Sequence, residues 1–292
     1  MQIGMTLPAM ARSCDRAATL AWCRGIDAGP FASLAYGERV TYFNPEMRTL
    51  LGAAAALTER VRIIPSLYVL PMHPVAQVAK EVATLDVLSG GRVTLAVGVG
   101  GREHDYRALE APFEGRFARL DAQVAELRRL WSGAPAFDGA DPIGPAPVQA
   151  GGPPIWAGAM GPKSLGRVAH WADGVAGFSL AGDPQQIAQS FEAADAAWQA
   201  AGRSERPRRV SGFWYALGDG ARDRLASYAV DYLRIFGEKA ARAIAQTLRV
   251  DSVEIFRETV AEIAALGCDE LLLVPTSSDP AELDRTIAAL DR

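Results

Sequence analysis

Apolar, β-rich runs alternate with helical stretches along the whole chain, and this alternation constrains the fold more than any other feature of the sequence. Strand-like runs cover residues 2–7, 31–36, 61–69, 93–97, 155–157, 174–179, 209–217 and 270–275. Helical stretches lie between them at residues 14–28, 44–59, 73–88, 113–131, 162–171, 183–201, 221–266 (with a break near Gly237) and 279–290. Asn44-Pro45 reads as a cap followed by Pro in the first helical position, and His73-Pro74, Asp183-Pro184 and Asp279-Pro280 open other helices. Repeated strand-helix units imply a parallel sheet with right-handed crossovers. Eight of them in 292 residues match an α/β fold of the closed (β/α)8 TIM barrel type. The LLLV run at 271–274 is apolar on both faces, as barrel strands require. An open doubly wound sheet is the competing architecture. The expected organisation is a single domain over residues 1–292, with a loop excursion at 132–152 and extra helices within 221–266.

Charge and composition narrow the function. A net charge of −4 gives no electrostatic footing for nucleic acid, and the basic cluster at 203–209 is interrupted by Glu205. No apolar run is long enough to span a membrane, and no secretory leader pattern opens the chain. Three cysteines, Cys14, Cys23 and Cys268, form no CxxC pair, which suits a reducing compartment. The expectation is a cytoplasmic protein acting on a small molecule, without nucleic-acid or membrane partners.

The segment LDVLSGGRVTLAVGVGGREHDY, residues 85–106, points to the site. An apolar strand breaks into Gly98-Val99-Gly100-Gly101, with charged residues just beyond. Glycine at a strand end marks a tight turn or a close approach to the backbone. In a barrel, the C-terminal strand ends build the site. Gly37-Glu38-Arg39, Pro65-Ser66-Leu67 and Gly158-Ala159-Met160-Gly161 fall at such ends too. Together they would admit a flat or phosphorylated ligand. The segment 158–164 leads into a helix through Pro162, so its free N–H groups could seat a phosphate, with Lys163 and Ser164 adding contacts; a plain helix cap is the alternative. Counting from Gly98, Glu103 stands where a dinucleotide fingerprint needs its third glycine. Phosphate-loop, HExxH and GxSxG patterns are absent, and His73, His104 and His170 lack metal-ligand spacing, so no metal is expected.

On these residues the sequence resembles the bacterial luciferase-like monooxygenase family. The resemblance rests on IGMTLP at the start, PFASLAYGERV, the run LTERVRIIPSLYVLPMHPVAQVAKEVATLDVLSGGRVTLAVGVG, PFEGRFARLDAQVAELRRLW and PPIWAGAMGPKSLGRVAHWADGV, from residue 3 to about 179. It implies a luciferase-like barrel using FMN or the deazaflavin coenzyme F420. It implies that Ser66-Leu67 forms a bulge, often a cis peptide, against the cofactor ring. Gly98, Val99 and Gly100 would line the same ring, and Gly158, Ala159, Met160 and Gly161 would take the phosphate. It also implies a homodimer through helices near the second and third strands, where residues 52–57 are alanine-rich.

Glu38-Arg39 falls where many relatives carry an acidic residue followed by histidine. Arg39 is always charged and cannot act as a base; it can bind an anionic group or steady a flavin anion. Glu38 can orient it or transfer a proton, and a rim salt bridge is the plain structural alternative. His104, with Glu103, follows the glycine loop as a proton-transfer candidate. His73, beside Pro74, reads as structural. Met10, Tyr42, Phe43, Trp214 and Tyr215 are candidate apolar walls, and residues 132–152 and 220–250 are the expected specificity loops. The functional expectation is an oxidoreductase or monooxygenase moving hydride between FMN or coenzyme F420 and a small organic substrate. A barrel lyase or isomerase holding a phosphorylated substrate, and a non-catalytic accessory subunit, are the alternatives.

Overall fold

The computed structural model describes residues 1–291. Its strands are β1 (Gln2–Thr6), β2 (Ser33–Tyr36), β3 (Arg62–Tyr68), β4 (Leu95–Val97), β5 (Ile155–Ala157), β6 (Gly174–Ala176), β7 (Arg208–Tyr215) and β8 (Glu270–Pro275). They close in that order into a parallel barrel, so the expected TIM barrel holds and the open sheet is excluded. The α-helices are α1 (Arg16–Ala28), α2 (Met47–Leu57), α3 (Val75–Ser89), α4 (Glu103–Ala108), α5 (Arg116–Trp131), α6 (Pro162–Val168), α7 (Pro184–Ala200), α8 (Ala221–Leu233), α9 (Glu238–Thr247), α10 (Val253–Ala265) and α11 (Pro280–Leu290). By its contacts the chain divides into two compact units. One comprises Met1–Ala35, Gly177–Glu192 and the chain from Arg209 onward; the other comprises Tyr36–Ala176 and Ala193–Arg208.

In the first unit β8 is the central strand. It pairs with β7 from Val210↔Glu270 to Tyr215↔Pro275, and with β1 from Gln2↔Glu270 to Met5↔Leu273. Leu271 and Leu273 are fully buried, as their apolar run demands. Glu270 is buried as well, and its carboxylate accepts from Ser33 Oγ at 2.6 Å. The Asp279-Pro280 signal works as expected, since the Asp279 carboxylate caps α11 by accepting from Ala281 N at 3.0 Å. One turn on, buried Glu282 accepts from Leu217 N at 2.5 Å and from Arg285 at 2.8 Å, fixing α11 to the end of β7. The helical stretch 221–266 breaks at Gly237 as expected and again after Thr247, before Ser252 caps α10.

In the second unit β3 pairs with β4, β4 with β5, and β5 with β6. Helix α2 starts later than expected. Its N-cap is Glu46, whose carboxylate accepts from Arg48 N (3.0 Å) and Thr49 N (2.8 Å). Asn44 is diverted, because its amide donates to Tyr36 Oη at 2.9 Å and to Pro45 O at 2.8 Å.

Arg92, from the SGGR motif, is the tie of this unit. Its guanidinium donates to Ala55 O, Thr58 O, Thr58 Oγ1, Val61 O and Ser89 O, at 2.5–3.2 Å. It thereby satisfies carbonyls left open where α2 ends and joins them to the end of α3. Gly90 takes φ +67° there and terminates α3.

Residues 132–152 do not lie where a specificity loop would. They follow α5 and lead into β5, which is the N-terminal edge of the strands, whereas barrel sites form at the C-terminal ends. Gln149 is anchored there by buried Asp86, donating its N–H (3.0 Å) and its amide (2.8 Å), and its amide also donates to Val93 O at 2.8 Å. The excursion is a structural cover on that edge.

Candidate active site

The candidate site residues gather on the second unit, where β3 turns over the ends of β4 and β5. The Ser66–Leu67 peptide is cis, and the pairing register with β4 shifts between Ser66 and Tyr68. This carries the Leu67 side chain across the neighbouring strand ends. A Cβ on Gly98 would lie 2.8 Å from Leu67 Cδ1, and a Cβ on Gly158 would strike the same leucine. A Cβ on Gly100 (φ +58°) would lie 2.9 Å from Val69 Cγ1, and one on Gly37 would lie 2.7 Å from Ser66 O. The glycines therefore first make room for the chain's own third strand. Ser66, Leu67, Gly98, Gly100 and Gly158 lie together, with Leu67 between Gly98 and Gly158 and Val69 against Gly100; Gly158, expected at the phosphate, is packed against Leu67 instead, and its N–H donates to Val97 O at 2.8 Å.

Tyr106 fixes the glycine loop. Val99 O accepts from Tyr106 Oη at 2.6 Å. Tyr106 is fully buried and packs with Val69 and Met72; burial raises its hydroxyl to about 12, so it stays a donor. Residues 103–108, which follow the glycine loop, form α4, and this short helix brings Tyr106 under the loop.

On the fifth strand's end, Ala159 is 3% exposed and packs with Leu165 and Val168, so only its backbone can face a ligand. Met160 is 75% exposed. Gly161 has open space around its Cα and precedes α6. Among the described residues, the N–H groups of Ala159, Met160 and Gly161 have no hydrogen-bond acceptor. A run of unused donors in a strand-to-helix loop is suited to an anion.

Glu38 does not pair with Arg39. One carboxylate oxygen accepts from Val69 N at 2.8 Å and the other meets His73 Nε2 at 2.7 Å, with both side chains 5% exposed. Arg39 is half-buried, with its guanidinium 5.7 Å from the Tyr42 ring centre; Arg102 lies 5.9 Å from the same ring. The Tyr42 and Phe43 rings lie 4.2 Å apart, tilted by 31°. Asp105 holds this rim together. Its carboxylate accepts from Thr41 N (2.8 Å) and Thr41 Oγ1 and lies 3.3 Å from Arg102. Burial alone would raise the Asp105 carboxyl, but these partners hold it below its ordinary value. His104 and Glu103 are exposed in the first turn of α4, apart from the Glu38–His73 pair.

Sequence reasoning missed Tyr106, Asp105, Thr41 and Arg102. The signal available was EHDY beyond the glycines, whose acidic start and spacing fit one helical turn. No lysine supports a Schiff-base reading: Lys80 donates to Gly144 O in the edge cover, Lys163 is exposed on α6, and Lys239 is exposed on α9.

The first unit carries its own aromatic cluster. Trp214 on β7 meets Tyr228 (5.3 Å) and Tyr232 (5.1 Å) edge-on, with Phe178 at 6.0 Å. Tyr215, expected as a wall, is instead a core group. It is fully buried, its hydroxyl bonds Thr286 Oγ1 at 2.7 Å, and burial holds its ionisation far above the ordinary range. Alternation along the strand sends Trp214 and Tyr215 to opposite faces.

The luciferase-like monooxygenase family model matches residues 1–290, and the chain belongs to that family. An uncharacterized protein of Mycobacterium tuberculosis is 32% identical over 177 residues, covering 56% of this chain and 62% of the relative. Among solved structures, an F420-dependent secondary alcohol dehydrogenase in complex with an F420-acetone adduct has a TM-score of 0.78 at 18% identity, covering 100% of this chain and 99% of that one. The oxygenating constituent of 3,6-diketocamphane monooxygenase from Pseudomonas putida, in complex with FMN, has a TM-score of 0.75 at 16% identity, covering 100% and 97%. At these identities the structural likeness shows the fold.

Proposed function

We propose that the protein is an oxidoreductase that moves hydride between FMN or coenzyme F420 and a small organic substrate. One observation carries this reading: Leu67 of β3 and the glycine ends of β4 and β5 form one platform beside a loop of unused N–H donors. The platform suits a flat ring and the donors suit a phosphate, a combination both cofactors present. Family membership and the two solved structures, one with an F420 adduct and one with FMN, support the same class.

The cofactor supplies the hydride-carrying ring, and FMN would add oxygen chemistry. The chain's part is binding, orientation and electrostatics. Ser66, Leu67, Gly98, Val99 and Gly100 would support the ring; the N–H groups of Ala159, Met160 and Gly161 would hold the phosphate, the Gly158 N–H being spent on Val97 O. Arg39 would face developing negative charge, and His104 would exchange protons with solvent at the rim. A homodimer through α2 belongs to this reading, supported by Ala53 and Ala56, which leave a small-residue face exposed.

Gly161→Asp tests the phosphate seat. The position has open space and an extended backbone, so the fold accommodates the side chain. A carboxylate there should weaken FMN or coenzyme F420 about tenfold or more, while riboflavin or the phosphate-free deazaflavin core binds as to wild type. Equal weakening of both kinds of ligand would move the phosphate elsewhere.

A further inference from the structure

Glu38 and His73 form a titratable pair beside the platform, each side chain 5% exposed, that the proposed chemistry leaves unused. We propose that His73 is a positioning residue, which orients the Glu38 carboxylate so that Glu38 clamps the β3 crossing segment in place. This deepens the cofactor reading above and rests on it for its functional meaning.

The contacts form one chain from the outer helix to the platform. From α5, Gln123 Nε2 donates to His73 O at 2.8 Å and Arg119 Nε donates to Pro71 O at 3.2 Å, fixing the segment that carries His73. His73 Nε2 lies 2.7 Å from Glu38 Oε1. A carboxylate only accepts, so Nε2 carries the hydrogen. Glu38 then grips β3 on both sides of Tyr68: its own N–H donates to Leu67 O at 3.2 Å, and its Oε2 accepts from Val69 N at 2.8 Å. Leu67 and Val69 are the residues whose side chains fill the space at Gly98, Gly158 and Gly100. With both side chains 5% exposed, water cannot readily replace either partner. The Tyr68 ring, edge-on to His73 at 5.2 Å, closes the remaining side, its hydroxyl spent on Glu81 at 2.7 Å. Both carboxylate oxygens of Glu38 are thus committed to structure, and its position at a strand end serves orientation.

Amide hydrogen exchange of the ligand-free protein reads the clamp without any cofactor. In His73→Leu and in Glu38→Ala, the Val69 amide should exchange about tenfold faster or more, while amides in β8 keep their protection. His73→Gln, which again presents an N–H to Glu38, should restore most of the protection. Affinity for FMN or coenzyme F420 should fall and recover in the same order. Unchanged Val69 exchange in His73→Leu overturns the proposal whatever the cofactor result, as does loss of protection in His73→Gln equal to that in His73→Leu. A wild-type protein that binds neither cofactor refutes the functional reading, and the exchange result then decides the clamp alone.

Discussion

Leu67 occupies the space that a side chain on Gly98 would need, its Cδ1 lying 2.8 Å from where that Cβ would stand. The glycine is therefore a packing requirement. Gly98→Ala should destabilise the protein by roughly 1–3 kcal/mol through overpacking. Leu67→Ala in the same chain should recover much of that loss, because it vacates the contested volume. Chemical denaturation of the two single variants and the double variant gives the coupling; additive losses would mean that the two residues do not compete.

Arg92 offers a second prediction. Its guanidinium reaches three segments at once, donating to Ala55, Thr58, Val61 and Ser89. A lysine ammonium at that position cannot span this fan of acceptors. Arg92→Lys should lower unfolding free energy by about 2–3 kcal/mol, measured by denaturant titration. A loss well under 1 kcal/mol would mean that the carbonyls are satisfied by solvent.

Glu46 gives a pH dependence with a definite sign. Burial works against its charge, but the N–H groups of Thr49 and Arg48, the Arg48 guanidinium and the Thr49 hydroxyl together lower its carboxyl from 4.5 to about 2. The folded value lies below the unfolded one, so the stabilisation is present above about 4.5 and is lost as pH falls from there through about 2. The side chain is 45% exposed, so solvent screening keeps the effect near 1 kcal/mol. Glu46→Gln should melt at a lower temperature than wild type at pH 7, and the two curves should converge as pH drops below 4. A gap independent of pH would assign the effect to packing.

The barrel was legible because its signals are local. The LLLV strand, the Asp279-Pro280 cap and the glycine-terminated β4 each announce themselves within a few residues. The glycine ends were readable for the same reason, whereas the Ser66-Leu67 bulge was implied only by the family resemblance. What escaped depends on partners distant in sequence. Glu38 finds His73 35 positions away, so it reads as a partner of Arg39 or a proton carrier until the strands are placed. Asn44 reads as a cap until Tyr36 captures its amide. Tyr106 lies in a helix too short to show periodicity. Residues 132–152 read as a working loop by length and composition, and only the direction of the adjoining strand puts them at the opposite edge.

The central claim is a platform for a flavin-type ring with a phosphate seat, and fluorescence titration of the purified protein with FMN and, separately, with coenzyme F420 tests it most directly. Saturable one-to-one binding of at least one of them, weakened by Gly161→Asp, is the expected result, and whichever binds fixes the chemistry to pursue. Binding of neither at concentrations well above those of a typical cofactor site would contradict the claim, and the platform would then belong to another ligand.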